Sequence, residues 1–301
     1  MKVHLDCIPC YVNQAMEASG YANMDEEKRW KVVKQVCDEL SRVDRSSPSA
    51  KIGQRVHKIV RELSDIDDPY LKQKKKSNNK ARDYYDEFRQ KVDQSPDPLN
   101  RAARLAAAGN AIDFGPRRDF DVRTELKQGL SEEFKLNHWP KFIDQLKHAK
   151  DILYFTDNSG EIIYDRLFIE RLLDFSPVKK LNLVVKDGPF LNDVTLQDAR
   201  SLQFDEMEKI KLITVDNGDG GESPPLWSPE VEDWIDDHDL TISKGQANYE
   251  GLSGYRKNNL FFLLVVKCPL VEKDIGAKVG EKVFLNAKKH QRNQCSGEAI
   301  S

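Results

Sequence analysis

The hydrophobic and polar positions change rhythm about a third of the way along the chain. Up to about Gly115, apolar residues recur at three- and four-residue spacing, the period of helices with one buried face. Tyr11 to Ser19, Lys28 to Val43, Ser49 to Leu63 and Tyr70 to Val92 carry this pattern. Ser46-Ser47-Pro48-Ser49 and Asp67-Asp68-Pro69 interrupt it, and Pro69 is placed to open the helix that follows. Asp97-Pro98 opens a fifth helix, Leu99 to Ala111, with six alanines. Residues 1–115 are therefore expected to form a helical domain.

The second half carries short β-rich runs: Ile152 to Phe155, Leu181 to Val185, Ile210 to Val215, Leu240 to Ile242 and Leu260 to Val266. The first four begin 29 or 30 residues apart, and the fifth follows 20 later. Helical stretches such as Ile162 to Leu173 and Leu196 to Met207 lie between them. A strand plus its crossover helix takes ~30 residues, so the spacing is that of successive βαβ units. The runs lack strict alternation, as strands of a parallel sheet buried on both faces do. The pattern predicts an α/β sandwich over residues 141–301, with 116–140 as a connecting segment.

Composition narrows the function classes. The 301 residues are 39% apolar and 32% charged, enough for two domains with cores. Forty-seven basic against fifty acidic residues give a net charge of −3, which argues against a general nucleic-acid coat. The longest apolar run, Leu260 to Val266, is far short of the ~18 residues of a membrane span. Asp6 and Cys7 precede any apolar stretch, so no secretory signal is expected. Five scattered cysteines suit a reducing cytoplasm better than a disulfide framework.

The candidate chemistry sits where the strands end, the rim at which open parallel sheets bind ligands. The first strand runs into Thr156-Asp157-Asn158-Ser159-Gly160-Glu161, and the second into Lys186-Asp187-Gly188-Pro189 and then Asn192-Asp193-Val194-Thr195. The third ends in Asp216-Asn217-Gly218, and the fourth in Ser243-Lys244-Gly245-Gln246-Ala247-Asn248. In any single loop such residues make turns and helix caps. Four loops of this kind on one rim point to a site. Oxygen ligands without histidine suit magnesium or manganese, with open positions for water and a phosphate oxygen. No P-loop, dinucleotide fingerprint or serine nucleophile elbow follows a strand.

These motifs resemble the DUF89 family of metal-dependent damage-control phosphatases. Asp157-Asn158-Ser159-Gly160-Glu161, Asn192-Asp193-Val194-Thr195 and Ser243-Lys244-Gly245-Gln246-Ala247-Asn248 carry the likeness in the second half. In the first half, Asp6-Cys7-Ile8-Pro9-Cys10, Asp68-Pro69-Tyr70 and Gly109-Asn110-Ala111-Ile112-Asp113-Phe114-Gly115 agree with its subfamily I. The resemblance implies an α-helical N-terminal domain packed on a C-terminal α/β/α Rossmann-like domain with a mostly parallel sheet. It also implies one divalent metal (Mn, Ni, Co or Mg) on Asp157, Asn158 and Asp193, and hydrolysis of phosphate monoesters of small metabolites. Asn110, Asp113 and Lys244 match further motif positions, and Asn110, Lys244, Gly245 and Asn248 are the expected phosphate contacts. Water activated by the metal is the expected nucleophile, oriented by Asp113 or Glu161, with direct attack by Asp157 as a variant.

Alternatives stay open at this point. A Rossmann-like sheet also suits an S-adenosylmethionine-dependent carboxyl methyltransferase, although the first loop has only Gly160 as glycine. A non-catalytic phosphometabolite-binding protein is the third reading. Cys7 and Cys10 form a single Cys-x-x-Cys, open to a separate metal or redox site or to simple packing, with His4 as a third ligand. Leu71 to Lys91 holds eight basic residues against three acids and reads as a solvated helix face. No nucleic-acid partner is expected.

Overall fold

The computed structural model describes residues 1–109, 122–175 and 177–288. Three helices, α1 (Cys7–Tyr21), α2 (Glu26–Ser41) and α3 (Ser49–Ser64), enclose a small core of Tyr11, Ala15, Val32, Val36, Ile52, Val56 and Val60. Asp25 caps α2 by accepting the Lys28 N–H at 2.8 Å, satisfying one of the orphan donors of the first turn. Asp65, left-handed at φ 57°, ends α3. The helices α4 (Leu71–Asp93) and α5 (Pro98–Gly109) then carry the chain to the α/β half.

That half contains α6 (Val122–Ser131), β1 (Leu136–Asn137), α7 (Trp139–Leu146), β2 (Asp151–Phe155), α8 (Glu161–Leu173), β3 (Lys180–Lys186), α9 (Leu196–Ser201) and β4 (Ile210–Val215). It continues with α10 (Pro229–Asp237), β5 (Leu240–Lys244), α11 (Gln246–Leu252), β6 (Leu260–Val265), α12 (Pro269–Ile275) and β7 (Lys282–Asn286). The strands form one sheet in the order β1-β7-β6-β5-β2-β3-β4, parallel except for the β6–β7 pair. From β2 the chain moves outward through β3 and β4, and then returns to β5 on the other side of β2. The carboxyl ends of β2 and β5 therefore flank the switch point, where such sheets hold their ligands.

Successive residues of β2 point to opposite faces. Ile152 and Tyr154 join the core beneath α5 and α8, whereas Leu153 and Phe155 join the one with Val231, Leu252 and Val271 of α10, α11 and α12. Every described strand except β1 and the solvent-facing part of β4 is largely buried, as expected for strands sandwiched between helices.

The five expected strands are present, and four expectations change. Within the expected connecting segment, residues 122–140 hold α6 and β1: Val122, Leu126 and Leu130 form a buried stripe at four-residue spacing. β1 adds two residues to the sheet edge against Val283 and Phe284 of β7. β7 itself, a fully buried Lys-Val-Phe-Leu-Asn, was not anticipated because five residues show no useful period. The helix expected to reach Met207 stops at Ser201, since Gln203 takes a left-handed φ of 59°. Finally, the cores do not divide where the rhythm of the sequence does. Ala81 and Phe88 of α4 and the alanines of α5 lie in the same buried cluster as Tyr154 and Phe168. The alanines bring α5 so near α8 that a Cβ on Gly109 would meet Tyr164 at 3.2 Å and Glu161 at 3.3 Å.

Candidate active site

Two loops at the switch point are joined edge to edge. The Asp157 carbonyl accepts the Val194 N–H at 2.9 Å, the Asn192 carbonyl accepts the Ser159 N–H at 2.8 Å, and Asn158 and Asp193 are bridge partners between them. Asp157, Asn158 and Asp193, separated by up to 36 positions in the chain, thus share one buried corner. Asn158 Nδ2 donates to Asp157 Oδ2 at 2.8 Å, which orients its amide oxygen as a further donor atom for a cation. Thr195 and Asp198 close the second loop with a reciprocal capping box on α9.

Gly245, following β5, forms the floor beneath Asp157. It sits at φ 77° and ψ 165°, and a Cβ there would lie 1.9 Å from Asp157 Oδ2 and 2.0 Å from its Cγ. Only a glycine leaves room for this carboxylate. Across the site, Asn78 of α4 accepts the Gly160 N–H at 2.6 Å, and a Cβ on Gly160 (φ 84°) would meet Ser77 at 3.0 Å. Lys74, one turn earlier, is buried between Asp68 at 3.0 Å and Asp198 at 2.6 Å. Burial works against its charge, but the two carboxylates outweigh it and raise its pKa. The stretch expected to be a solvated basic face therefore turns three polar side chains, Lys74, Ser77 and Asn78, into the protein.

Two of the expected phosphate contacts are engaged elsewhere. Lys244 is completely buried, and its ammonium donates to Glu161, to Asp165 at 2.5 Å and to the Ala106 carbonyl at 3.1 Å. Those three acceptors match its three donors, leaving none for a phosphate. Burial opposes the charge on Lys244, yet Asp165 and Glu161 raise its pKa, while burial raises that of Asp165. Asn248 donates from Nδ2 to the Thr156 and Lys244 carbonyls at 2.7 and 2.8 Å, tying the ends of β2 and β5 together. Glu161, expected to orient water, is the ion-pair partner of Lys244. Asn110 and Asp113 lie outside the described residues, although α5 ends at Gly109 directly against Glu161.

The donor set fits a divalent cation. Among the described residues, no three His, Cys, Asp or Glu side chains stand together as a metal site. The corner instead offers two carboxylates and an amide oxygen, the hard ligands that magnesium or manganese takes. The Ser159 hydroxyl beside them is buried without a hydrogen-bond partner, an unmet polar atom at the same corner. Next to this corner, Arg61 of α3 reaches Pro189 and Asp219, and Asp187, Asn217 and Gly221 complete a cleft of about 600 Å³ along the ends of β3 and β4.

The Cys-x-x-Cys lies on α1. Cys7 opens α1, and Cys10 accepts a hydrogen bond from Gln14 at 3.3 Å. The fold brings Cys268 and Glu250 close enough to act on both thiols, a neighbourhood that chain spacing did not reveal. Burial is the main cause that raises both pKa values, and the Glu250 carboxylate adds to it.

A helical half packed on a doubly wound sheet, with an acid–amide corner at its switch point, is an α/β architecture with its ligand-binding rim at that corner. Residues 3–283 match the family described as the damage-control phosphatase ARMT1-like domain, and the chain belongs to that family. It is 32% identical over 294 residues to an uncharacterized protein of Methanocaldococcus jannaschii, covering 95% of each chain. It is 31% identical over 288 residues to a damage-control phosphatase of Archaeoglobus fulgidus, covering 94% of this chain and 98% of the relative. The crystal structure of a DUF89 family protein from Pyrococcus horikoshii superposes with a TM-score of 0.84 at 27% identity, covering 96% of this chain and all of that one.

Proposed function

We propose that this chain is a metal-dependent phosphatase that hydrolyses phosphate monoesters of small metabolites in a metabolite damage-control role. The observation that carries the reading is the joining of Asp157, Asn158 and Asp193 by paired loops over the Gly245 floor. Those three residues would hold one divalent ion, which when bound offsets charge on the phosphoryl oxygens and acidifies water. The chain's own part is positional. Gly245 and Asn158 fix the Asp157 carboxylate from two sides. The Lys244–Glu161–Asp165 cluster fixes the first turn of α8 next to the loop. The neighbouring cleft, with acids, Asn217 and Arg61, would receive the remainder of the ester. The four described cysteines are free thiols, which supports a reducing, cytoplasmic setting. Among the described residues no helix is long and apolar enough to cross a membrane.

The test is phosphate release from a panel of phosphate esters with Mn, Co, Ni or Mg added or chelated. Asp157→Ala and Asp193→Ala should each weaken metal binding and cut turnover by at least ~10²-fold, about 2.7 kcal/mol of transition-state stabilisation. The double variant should be little worse than either, because residues serving one ion fail together. A folded Asp193→Ala protein with unaltered metal affinity and turnover would defeat the assignment.

A further inference from the structure

We infer that Lys186, and not Lys244, is the lysine that contacts the phosphoryl group of the substrate, an inference that rests on the proposed phosphatase reading. Lys186 is the last residue of β3, and its backbone is held by donation from its N–H to the Val194 carbonyl at 2.9 Å. It is 9% exposed, yet its ammonium makes no hydrogen bond among the described residues. Its neighbours are the Asp193 carboxylate, with Oδ2 at 4.0 Å, and the Phe190 ring, whose centroid is 5.8 Å away. An ammonium carries three donors, and a nearly buried one that uses none of them is suited to an incoming anion. Every donor of Lys244 is already occupied, and Arg61 is bound to Pro189 and Asp219.

The strand pattern explains the division of labour. Leu240, Ile242 and Lys244 alternate onto the face of β5 that packs beneath α8, whereas Lys186 shares its parity with Val184, on the opposite face of the sheet. Two lysines that each end a strand therefore emerge on different sides. One meets the carboxylates of α8, and the other meets the Asp193 corner. A cation there offsets the negative charge of phosphoryl oxygens brought alongside Asp193, a task a short aliphatic residue could not perform.

A simpler role would be that of a counter-ion that merely neutralises Asp193. Lys186→Met separates the two roles when inorganic phosphate is titrated calorimetrically into the Mn-loaded protein and Mn into the phosphate-free protein. Contact with phosphate predicts that phosphate affinity and kcat/KM each fall by ~10-fold or more, while Mn affinity holds or rises because a competing cation is gone. Lys186→Arg should recover part of the phosphate affinity. Unchanged phosphate affinity and kcat/KM in Lys186→Met, with wild-type protein showing Mn-dependent phosphate release, would overturn this inference alone. Lower turnover traceable wholly to lost Mn binding would overturn it as well. A wild-type protein that neither binds Mn nor releases phosphate would sink the phosphatase reading and this inference together.

Discussion

Replacing Gly245 with alanine tests the site through a single methyl group. The new Cβ would stand 1.9 Å from Asp157 Oδ2, less than the separation of any two non-bonded heavy atoms. Relief requires the carboxylate to retreat by more than ~1 Å, and a displacement of that size at a reacting centre costs on the order of 10²-fold in rate. The backbone cannot share the adjustment cheaply. Gly245 donates its N–H to Leu263 and accepts from Tyr249, and its φ of 77° with ψ of 165° lies in a region essentially reserved for glycine. An alanine held there costs roughly 1–3 kcal/mol. Gly245→Ala should therefore lose about 1–3 kcal/mol in urea unfolding, together with Mn affinity and at least ~10²-fold of phosphate release. Gly254→Ala is the control, since nothing lies within 4 Å of its added Cβ, and its stability should change by no more than about 0.5 kcal/mol. Wild-type turnover in a folded Gly245→Ala protein would show that Asp157 is not held where the chemistry needs it.

Lys244→Met leaves Glu161 and Asp165 buried together without their cation, and should destabilise the fold by about 3–5 kcal/mol in denaturant titrations; a loss under ~1 kcal/mol would show the pair to be solvated. Cys7→Ser with Cys10→Ser should leave phosphate release largely intact in the metal-loaded protein, because the proposed ligands are all oxygens on the sheet; abolished turnover in a folded, metallated double variant would move the catalytic centre. Burial, with help from Arg61, lowers the His57 pKa from 6.5 to about 3, so between those values the unfolded chain binds the extra proton and stability falls as the pH drops below 6.5. The slope should approach ~1.4 kcal/mol per pH unit, and His57→Gln should flatten it; equal slopes in both proteins would place the acid sensitivity elsewhere.

The fold was legible wherever burial imposes a period. Amphipathic helices and fully buried strands announce themselves because one face, or both, must be apolar. The signal failed for elements too short to show any period, as with Leu136–Asn137 and Lys282–Asn286, which join the sheet through backbone pairing. The acid–amide corner was legible because polar residues directly after parallel strands gather at one rim. What a lysine does at that rim was not. Lys186 and Lys244 both follow apolar runs, and their roles depend on alternation phase and on which helix covers each face. Nor does spacing reveal that Asp165, one turn beyond Glu161 on α8, supplies a second acceptor for Lys244.

The helical half explains a motif that lies far from the acid–amide corner in sequence. Asp68 precedes Pro69 in the break before α4, where it receives the Tyr70 N–H at 2.9 Å and lies 3.0 Å from the ammonium of Lys74. Lys74 also binds Asp198, whose carboxylate receives both the backbone N–H and the hydroxyl of Thr195, two residues after Asp193. One turn further along α4, Asn78 receives the N–H of Gly160, two residues after Asn158. Both loops of the corner are thus gripped by one helix, at points separated along it by a single turn. A charge cluster buried without its lysine would leave two unpaired acids, a defect of about 3–5 kcal/mol, so the contact resists separation. Had α4 been only a solvated basic face, Lys74, Ser77 and Asn78 would have no reason to be buried. Their burial makes the register of α4 on α8 part of the site's geometry, since a shift of one turn would pull Asn78 from Gly160 and Lys74 from Asp198 together.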